Sequence, residues 1–173
     1  TAGSHASPYT VAEHTWALIL AARRRIPEET ALMKRGEWRR SFSLGLRGGT
    51  LGVFGLGQIG SLVAATGASF GMTILVWGRE ASLASARKAG YAVASGKAEL
   101  FERSDVLSLC VRLSKETHGI VTAQDLARMK ATALLVNTAR AELIAPNALV
   151  EALKQGRPGL AAVDVYDEEP PAP

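Results

Sequence analysis

The sequence predicts an α/β fold organised as a doubly wound parallel sheet. Three observations carry that prediction. Short, continuously apolar runs recur along the chain, helical patterns separate them, and a glycine-rich turn joins the first run to its helix. Strands that are apolar throughout belong to a parallel sheet covered by helices on both faces. The 173 residues are 47% hydrophobic and 21% charged, which suits one domain with a full core and argues against disorder.

The elements follow in order. Thr10-Val11-Ala12-Glu13 has the form of a capping box, with a Thr N-cap and a Glu three residues on. It opens a helix to about Arg25, apolar on most faces, as suits a segment packed between domains or subunits. Pro27 to Arg40 reads as helix and then irregular chain, with Trp38 as an anchor, and Ser41 to Gly49 as a Gly/Ser loop. The alternating series then starts with a strand at 51–54, a helix at 59–69, a strand at 73–77 and a helix at 82–89. A short strand near 91–93, a helix at 97–102 and a strand at 106–111 come next. Thr122-x-x-Asp125 is a second capping pattern and starts a short helix to Met129. A strand at 133–136, a helix at 147–155 closed by Gly156, and a strand at 160–163 complete the set. No repeat or low-complexity segment interrupts it.

The glycine turn has the sequence Gly55-Leu56-Gly57-Gln58-Ile59-Gly60, directly after an apolar strand and before an alanine-rich helix. This G-x-G-x-x-G in that context is the phosphate turn of a dinucleotide-binding, Rossmann-like βαβ unit. Gly55 permits the tight turn, Gly57 lets the backbone approach a pyrophosphate, and Gly60 lets the helix pack close to the strand. The helix beginning near Gln58 presents unpaired N–H groups and its positive end to the phosphates. A carboxylate for the adenosine ribose is expected at the end of the second strand, which here reads Trp77-Gly78-Arg79-Glu80. Gly78 removes the carboxylate and Arg79 adds a guanidinium fork suited to a 2′-phosphate, which favours NADP. Alternatively Arg79 stacks on adenine or points to solvent, Glu80 partly replaces the acid, and NAD binds.

Charge and composition exclude other classes. The net charge of +4 carries no basic block with interleaved aromatics, so no nucleic-acid surface is expected. The run 16–22 is too short to span a membrane and ends in Arg23-Arg24-Arg25. No signal peptide opens the chain, and a cytoplasmic location is expected. The single cysteine, Cys110, cannot form an internal disulfide and reads as a buried strand residue. No metal ligand set is read. The chain starts without methionine and stops at a proline-rich stretch, as expected of a piece of a longer protein.

Three further segments carry a family resemblance: Val136-Asn137-Thr138-Ala139-Arg140, the stretch from Ala162 through Asp164 to Glu169-Pro170, and the Thr10-Val11-Ala12-Glu13 helix. With the glycine turn, in that order and spacing, the chain resembles the D-isomer-specific 2-hydroxyacid dehydrogenases over nearly its whole length. The resemblance implies a dinucleotide-binding domain over 1–173, with the helix at 10–25 lying between domains or subunits and forming a homodimer. It also implies that the substrate-side domain and the final strand of the sheet are lacking. Arg140 matches the arginine that binds the substrate carboxylate and carbonyl, and Glu169 the acid that bonds a catalytic histidine. Asp164 matches the aspartate that accepts from the nicotinamide carboxamide. Thr138 and Ala139 match the nicotinamide side, and Val111, Arg112 and Thr117 the passage of the adenosine and riboses. Arg112 stands where the family often has Pro, and Ala141 where Gly is common. His5, His14 and His118 do not match the catalytic histidine, which lies beyond Pro173 in the family pattern; His14 reads as a packing residue.

The implied function is hydride transfer between a nicotinamide cofactor, NADP in preference to NAD, and a small 2-oxo or D-2-hydroxy acid. This piece alone is expected to be inactive. The alternative is a dinucleotide-sensing, corepressor-like protein without turnover, and a weaker one is a domain for another adenosine nucleotide.

Overall fold

A computed structural model describes residues 7–38 and 44–168. Six strands form one parallel sheet: β1 (Thr50–Phe54), β2 (Thr73–Trp77), β3 (Ala92–Val93), β4 (Val106–Leu109), β5 (Leu134–Asn137) and β6 (Leu160–Val163). Their order is β3-β2-β1-β4-β5-β6, the doubly wound order expected of the alternating pattern. Leu51 pairs with Ile74 on one side and Val106 on the other, which places β1 mid-sheet.

Side chains alternate across the sheet with period two and feed two cores. Leu51, Val53, Val106, Leu134 and Val136 face one core, where α1 (Pro8–Arg23), α3 (Gln58–Ser69) and α4 (Glu80–Lys88) bring Trp16, Ile19, Val63 and Ala86. Phe54, Leu107, Leu109 and Leu135 face the other, with α5 (Lys97–Arg103), α6 (Ala123–Ala127) and α7 (Ala148–Lys154). Both faces are thus covered over β1, β4 and β5, while β6, at the edge, stays partly exposed. Each fully buried Leu, Val or Phe contributes about 1.5–3 kcal/mol through transfer from water.

Several boundaries differ from the sequence expectation, for local reasons. The N-cap of α1 is Ser7, not Thr10: Ser7 Oγ accepts from Tyr9 N at 3.3 Å, while Thr10 donates to the Ser7 carbonyl at 2.7 Å from inside the first turn. Pro8 makes the earlier start favourable, because its φ is preset and it lacks an N–H to satisfy. The helix ends at Arg23; Arg25 takes a left-handed conformation, φ 55°, and α2 (Ile26–Lys34) follows. Trp38 anchors nothing, being 79% exposed. The Thr122 capping box does form, with Thr122 N donating to Asp125 Oδ2 at 2.8 Å and Asp125 N to Thr122 Oγ1 at 3.3 Å. Asn147 stands before α7 at φ 60° and caps it with no side-chain bond. A 3-10 turn at Ala141–Leu143 was not expected. Cys110 lies just beyond β4 and is only half-buried, because that strand stops at Leu109 rather than running to Val111.

At the edge where the strands begin, Asp105 ties the sheet together. Its carboxylate accepts from Thr50 N and Lys130 Nζ, both at 2.8 Å, so one side chain joins the starts of β1, β4 and β5. Burial alone would raise this carboxyl, but the Lys130 and Thr50 bonds and the Arg23 charge outweigh it and hold it below its ordinary value of 3.8. The depressed value means that its stabilisation is present above the ordinary carboxylate range and is lost as pH falls through the folded value. Asp105→Ala should lower unfolding free energy by about 1–3 kcal/mol at neutral pH, and the gap to the wild type should narrow as pH falls below about 4. Denaturant unfolding across pH checks both.

Candidate active site

The glycine turn has the geometry that its sequence requires. Gly55 sits at φ 92°, and a Cβ there would lie 2.8 Å from Val111 Cγ1. A Cβ at Gly60 would lie 2.2 Å from the Gly55 carbonyl oxygen, so α3 is laid directly against the turn. A Cβ at Gly57 would meet no protein atom within 4 Å. Internal packing therefore does not demand glycine at 57; it leaves backbone open to an approaching group. Gly57 also begins α3 without a side-chain cap, so the first-turn N–H groups remain for an anion.

Beside the turn lies a cleft of about 930 Å³ along the C-terminal ends of the strands. That is the crevice where ligands of open α/β sheets bind, and its size suits a dinucleotide. Gly55, Gly57, Gln58 and Ile59 line its phosphate part. Trp77, Gly78, Arg79, Val111, Arg112 and Thr117 line one end, and Thr138, Ala139 and Arg140 the other. Leu56 and Gly60 are buried behind the wall, and the Leu56 N–H is engaged by Ser82 Oγ at 3.1 Å. Ser82 was not singled out in the sequence, and no motif flags it. It also presses on Gly78, whose added Cβ would lie 3.3 Å from Ser82 Cβ. A side chain at 78 would need Ser82 to give by a few tenths of an ångström.

Charges at the adenosine-side end are fixed by short loops. Arg79 and Arg112 are both exposed. Thr117 Oγ1 donates to the Arg112 carbonyl at 2.7 Å and accepts from Ser114 N at 2.7 Å, which folds the 112–117 segment. A hydrogen bond from Ser114, a bond to its own backbone N–H and the Arg79 charge hold the Glu116 carboxyl below its usual range. Burial pushes the Cys110 thiol up to about 11, which argues against a nucleophile.

At the other end Asn137, 1% exposed, was also missed as a site residue. Its Nδ2 donates to the Arg140 carbonyl at 2.8 Å, and its Oδ1 accepts from Ala139 N at 3.1 Å. The Thr138–Arg140 turn is thereby wrapped around one buried amide, the bonding that makes Asn common in turns. Arg140 is exposed, and its Nη1 donates to the Ala139 carbonyl at 2.6 Å. Thr138, Ala139 and Arg140 line a second cleft of about 550 Å³ as well, together with Asp164. Asp164 is not in the wall of the first cleft; it pairs with His14, Nε2 to Oδ2, at 3.2 Å. His14 is therefore a partner of a site residue and not a packing residue. Pro8 and Val11 of the same helix line the first cleft. Glu169 and His5 lie outside the described residues.

The family described as D-isomer specific 2-hydroxyacid dehydrogenase, NAD binding domain, matches residues 16–173. The chain belongs to this family. It is 44% identical over 168 residues to the D-3-phosphoglycerate dehydrogenase of Methanocaldococcus jannaschii, covering 96% of this chain and 32% of that protein. It is 41% identical over 168 residues to the glyoxylate reductase of Aeropyrum pernix, covering 92% and 50%. The crystal structure of phosphoglycerate oxidoreductase from Vibrio cholerae superposes with a TM-score of 0.92 at 48% identity, covering 96% of this chain and 54% of that one. The chain thus spans between a third and about half of the length of these relatives. The glycine turn and the Asn137–Arg140 turn, read first from sequence, lie on the crevice of a 2-hydroxyacid dehydrogenase NAD-binding domain. Among the described residues, no helix is long and apolar enough to cross a membrane.

Because the Asn137 amide bonds both Ala139 and Arg140 of the turn, Asn137→Ala should destabilise the domain by about 1–3 kcal/mol. It should also weaken dinucleotide binding. Denaturant unfolding and calorimetric titration with cofactor test the two effects separately.

Proposed function

We propose that this chain is the cofactor half of an oxidoreductase that moves a hydride between a nicotinamide dinucleotide and C2 of a small 2-oxo acid. The observation that carries the reading is the position of Arg140, whose turn lines both the glycine-turn cleft and the second cleft beside Asp164. A group at that junction reaches both a cofactor that runs from the first cleft toward Asp164 in the second and a small acid that meets its nicotinamide end. The bound nicotinamide supplies the hydride in reduction and accepts it in oxidation. Arg140 binds the substrate carboxylate and draws on its carbonyl through a permanently charged, forked donor. Asp164 accepts a hydrogen bond from the nicotinamide carboxamide and so sets the ring's orientation. Glu169 holds a histidine that gives a proton to the substrate oxygen during reduction. Association into a homodimer through α1 and a cytoplasmic location complete the proposal, on the resemblance and on the 65% exposure of Tyr9 in that helix.

Arg140→Ala should lower kcat/KM for 2-oxo acid reduction by about 100-fold or more while leaving dinucleotide affinity nearly intact. Steady-state kinetics on the protein's full chain, with a panel of 2-oxo acids, measures this. Tight dinucleotide binding without reduction of any member of the panel would overturn the reading in favour of a sensor.

At the adenosine end we infer a preference for NADP. Gly78 leaves no carboxylate to repel a 2′-phosphate, and Arg79 and Arg112 line that end. Arg79→Ala should weaken NADPH binding about tenfold to a hundredfold and NADH binding little, since a charge-assisted bond to phosphate contributes about 1.5–3 kcal/mol. Equal losses for both, or none, would count against NADP.

A further inference from the structure

We propose that His14 is a positioning residue for the nicotinamide site: it holds one oxygen of Asp164 so that the other is presented to the carboxamide. The inference rests on the role proposed above for Asp164 and deepens it. His14 Nε2 lies 3.2 Å from Asp164 Oδ2, although the two residues are far apart in sequence. Their side chains are 51% and 34% exposed, so close packing does not account for the contact. Asp164 follows the end of β6, where the chain has left the regular sheet, and nothing in a loop backbone fixes its side-chain torsions. Ordering such a side chain on binding has an entropic cost, and a partner already in place removes it beforehand. A carboxylate offers about four lone-pair sites, so Oδ1 stays available as an acceptor once Oδ2 is engaged.

The neighbouring residue makes the matching contact. Thr15 Oγ1 donates to the Val11 carbonyl at 2.8 Å, so across the 2.7 Å contact between the two hydroxyls Thr138 is the donor and Thr15 the acceptor. Consecutive residues of α1 therefore reach the ends of two neighbouring strands: Thr15 the residue after β5, and His14 the residue after β6. The helix that carries them is fixed by Ile19, fully buried, and by Trp16, whose Nε1 donates to the Val63 carbonyl at 3.2 Å. A rigid helix with two side chains on two strand ends sets where those ends stand. A ligand that does not use Asp164 gains nothing from the His14 contact.

The test separates positioning from general support by using ligands that differ only at the nicotinamide. On the protein's full chain, dissociation constants are measured for NAD+, for 3-acetylpyridine adenine dinucleotide, which lacks the carboxamide N–H, and for ADP-ribose, or for their 2′-phosphorylated counterparts. His14→Ala should weaken NAD+ about threefold to tenfold, weaken the acetylpyridine analogue less and leave ADP-ribose unchanged, in keeping with loss of order in a hydrogen bond to a charged group. His14→Gln, whose amide can donate to Asp164, should recover part of the loss. Unchanged ADP-ribose binding is also the control that the variant is folded. An equal loss for all three ligands, or no loss for any, overturns the proposal. Asp164→Ala tells the two levels apart. If it leaves the preference for NAD+ over the acetylpyridine analogue intact, the role of Asp164 fails and the proposal with it. If it removes that preference while His14→Ala does not, only the positioning role fails.

Discussion

The site depends on how closely α3 lies against the turn that precedes it. With a Cβ at residue 60 only 2.2 Å from the Gly55 carbonyl oxygen, any side chain there would lift the helix or open the turn. The close approach keeps the first turn of α3 at the mouth of the crevice, so that its N–H groups and positive end act on one point. The strand order gives that point its meaning. The sheet runs outward from β1 in both directions, to β2 and β3 on one side and to β4, β5 and β6 on the other. The chain leaves β1 through α3 on one face and leaves β4 toward α6 on the other, so the two connections diverge at the strand ends. The crevice is the gap between them, and the glycine turn is its floor.

Much of this was legible in the sequence, because two local rules were sufficient for it. Continuous apolar runs placed all six strands, and the bounds of β2 and β6 matched the expected residues. The glycine turn placed the crevice, since only its spacing meets the combined demands of a positive φ at 55 and a helix against carbonyl at 60. The errors came where one residue outweighed a pattern. Pro8 moved the start of α1 to Ser7, although Thr10 and Glu13 had the form of a capping box. Leu109 ended β4 before Val111, because the chain must leave the sheet to line the cleft. Trp38, expected as an anchor, is 79% exposed among the described residues.

What was not legible depends on contacts between distant residues. Ser82 carries no motif; its value comes from a single bond to Leu56 N and from the space it takes beside Gly78. Asn137 stood inside a motif that drew attention to Arg140, yet its own side chain closes the turn on which Arg140 stands. His14 looked like one more residue of a helix apolar on most faces. Its contact with Asp164 spans nearly the whole chain, and only the packing of α1 across the ends of β5 and β6 brings it about.

The same side chain stands in different settings at the two ends of the crevice, and backbone context makes the difference. Arg79 and Arg140 are both exposed, both follow a strand, and both stand in extended conformation just before a helical turn. Arg79 precedes α4, whose first residue Glu80 is paired with Arg87 at 2.8 Å, and Glu116 brings a negative charge near Arg79. Its field is therefore partly balanced by Glu116. Arg140 stands on a turn wound around a buried amide, where two clefts meet. Its position is set by the fold rather than by an ion partner, which suits a group that must meet a substrate in a fixed orientation relative to a bound cofactor. An arginine at a strand end says little by itself; the bracing beneath it decides how firmly its turn is placed.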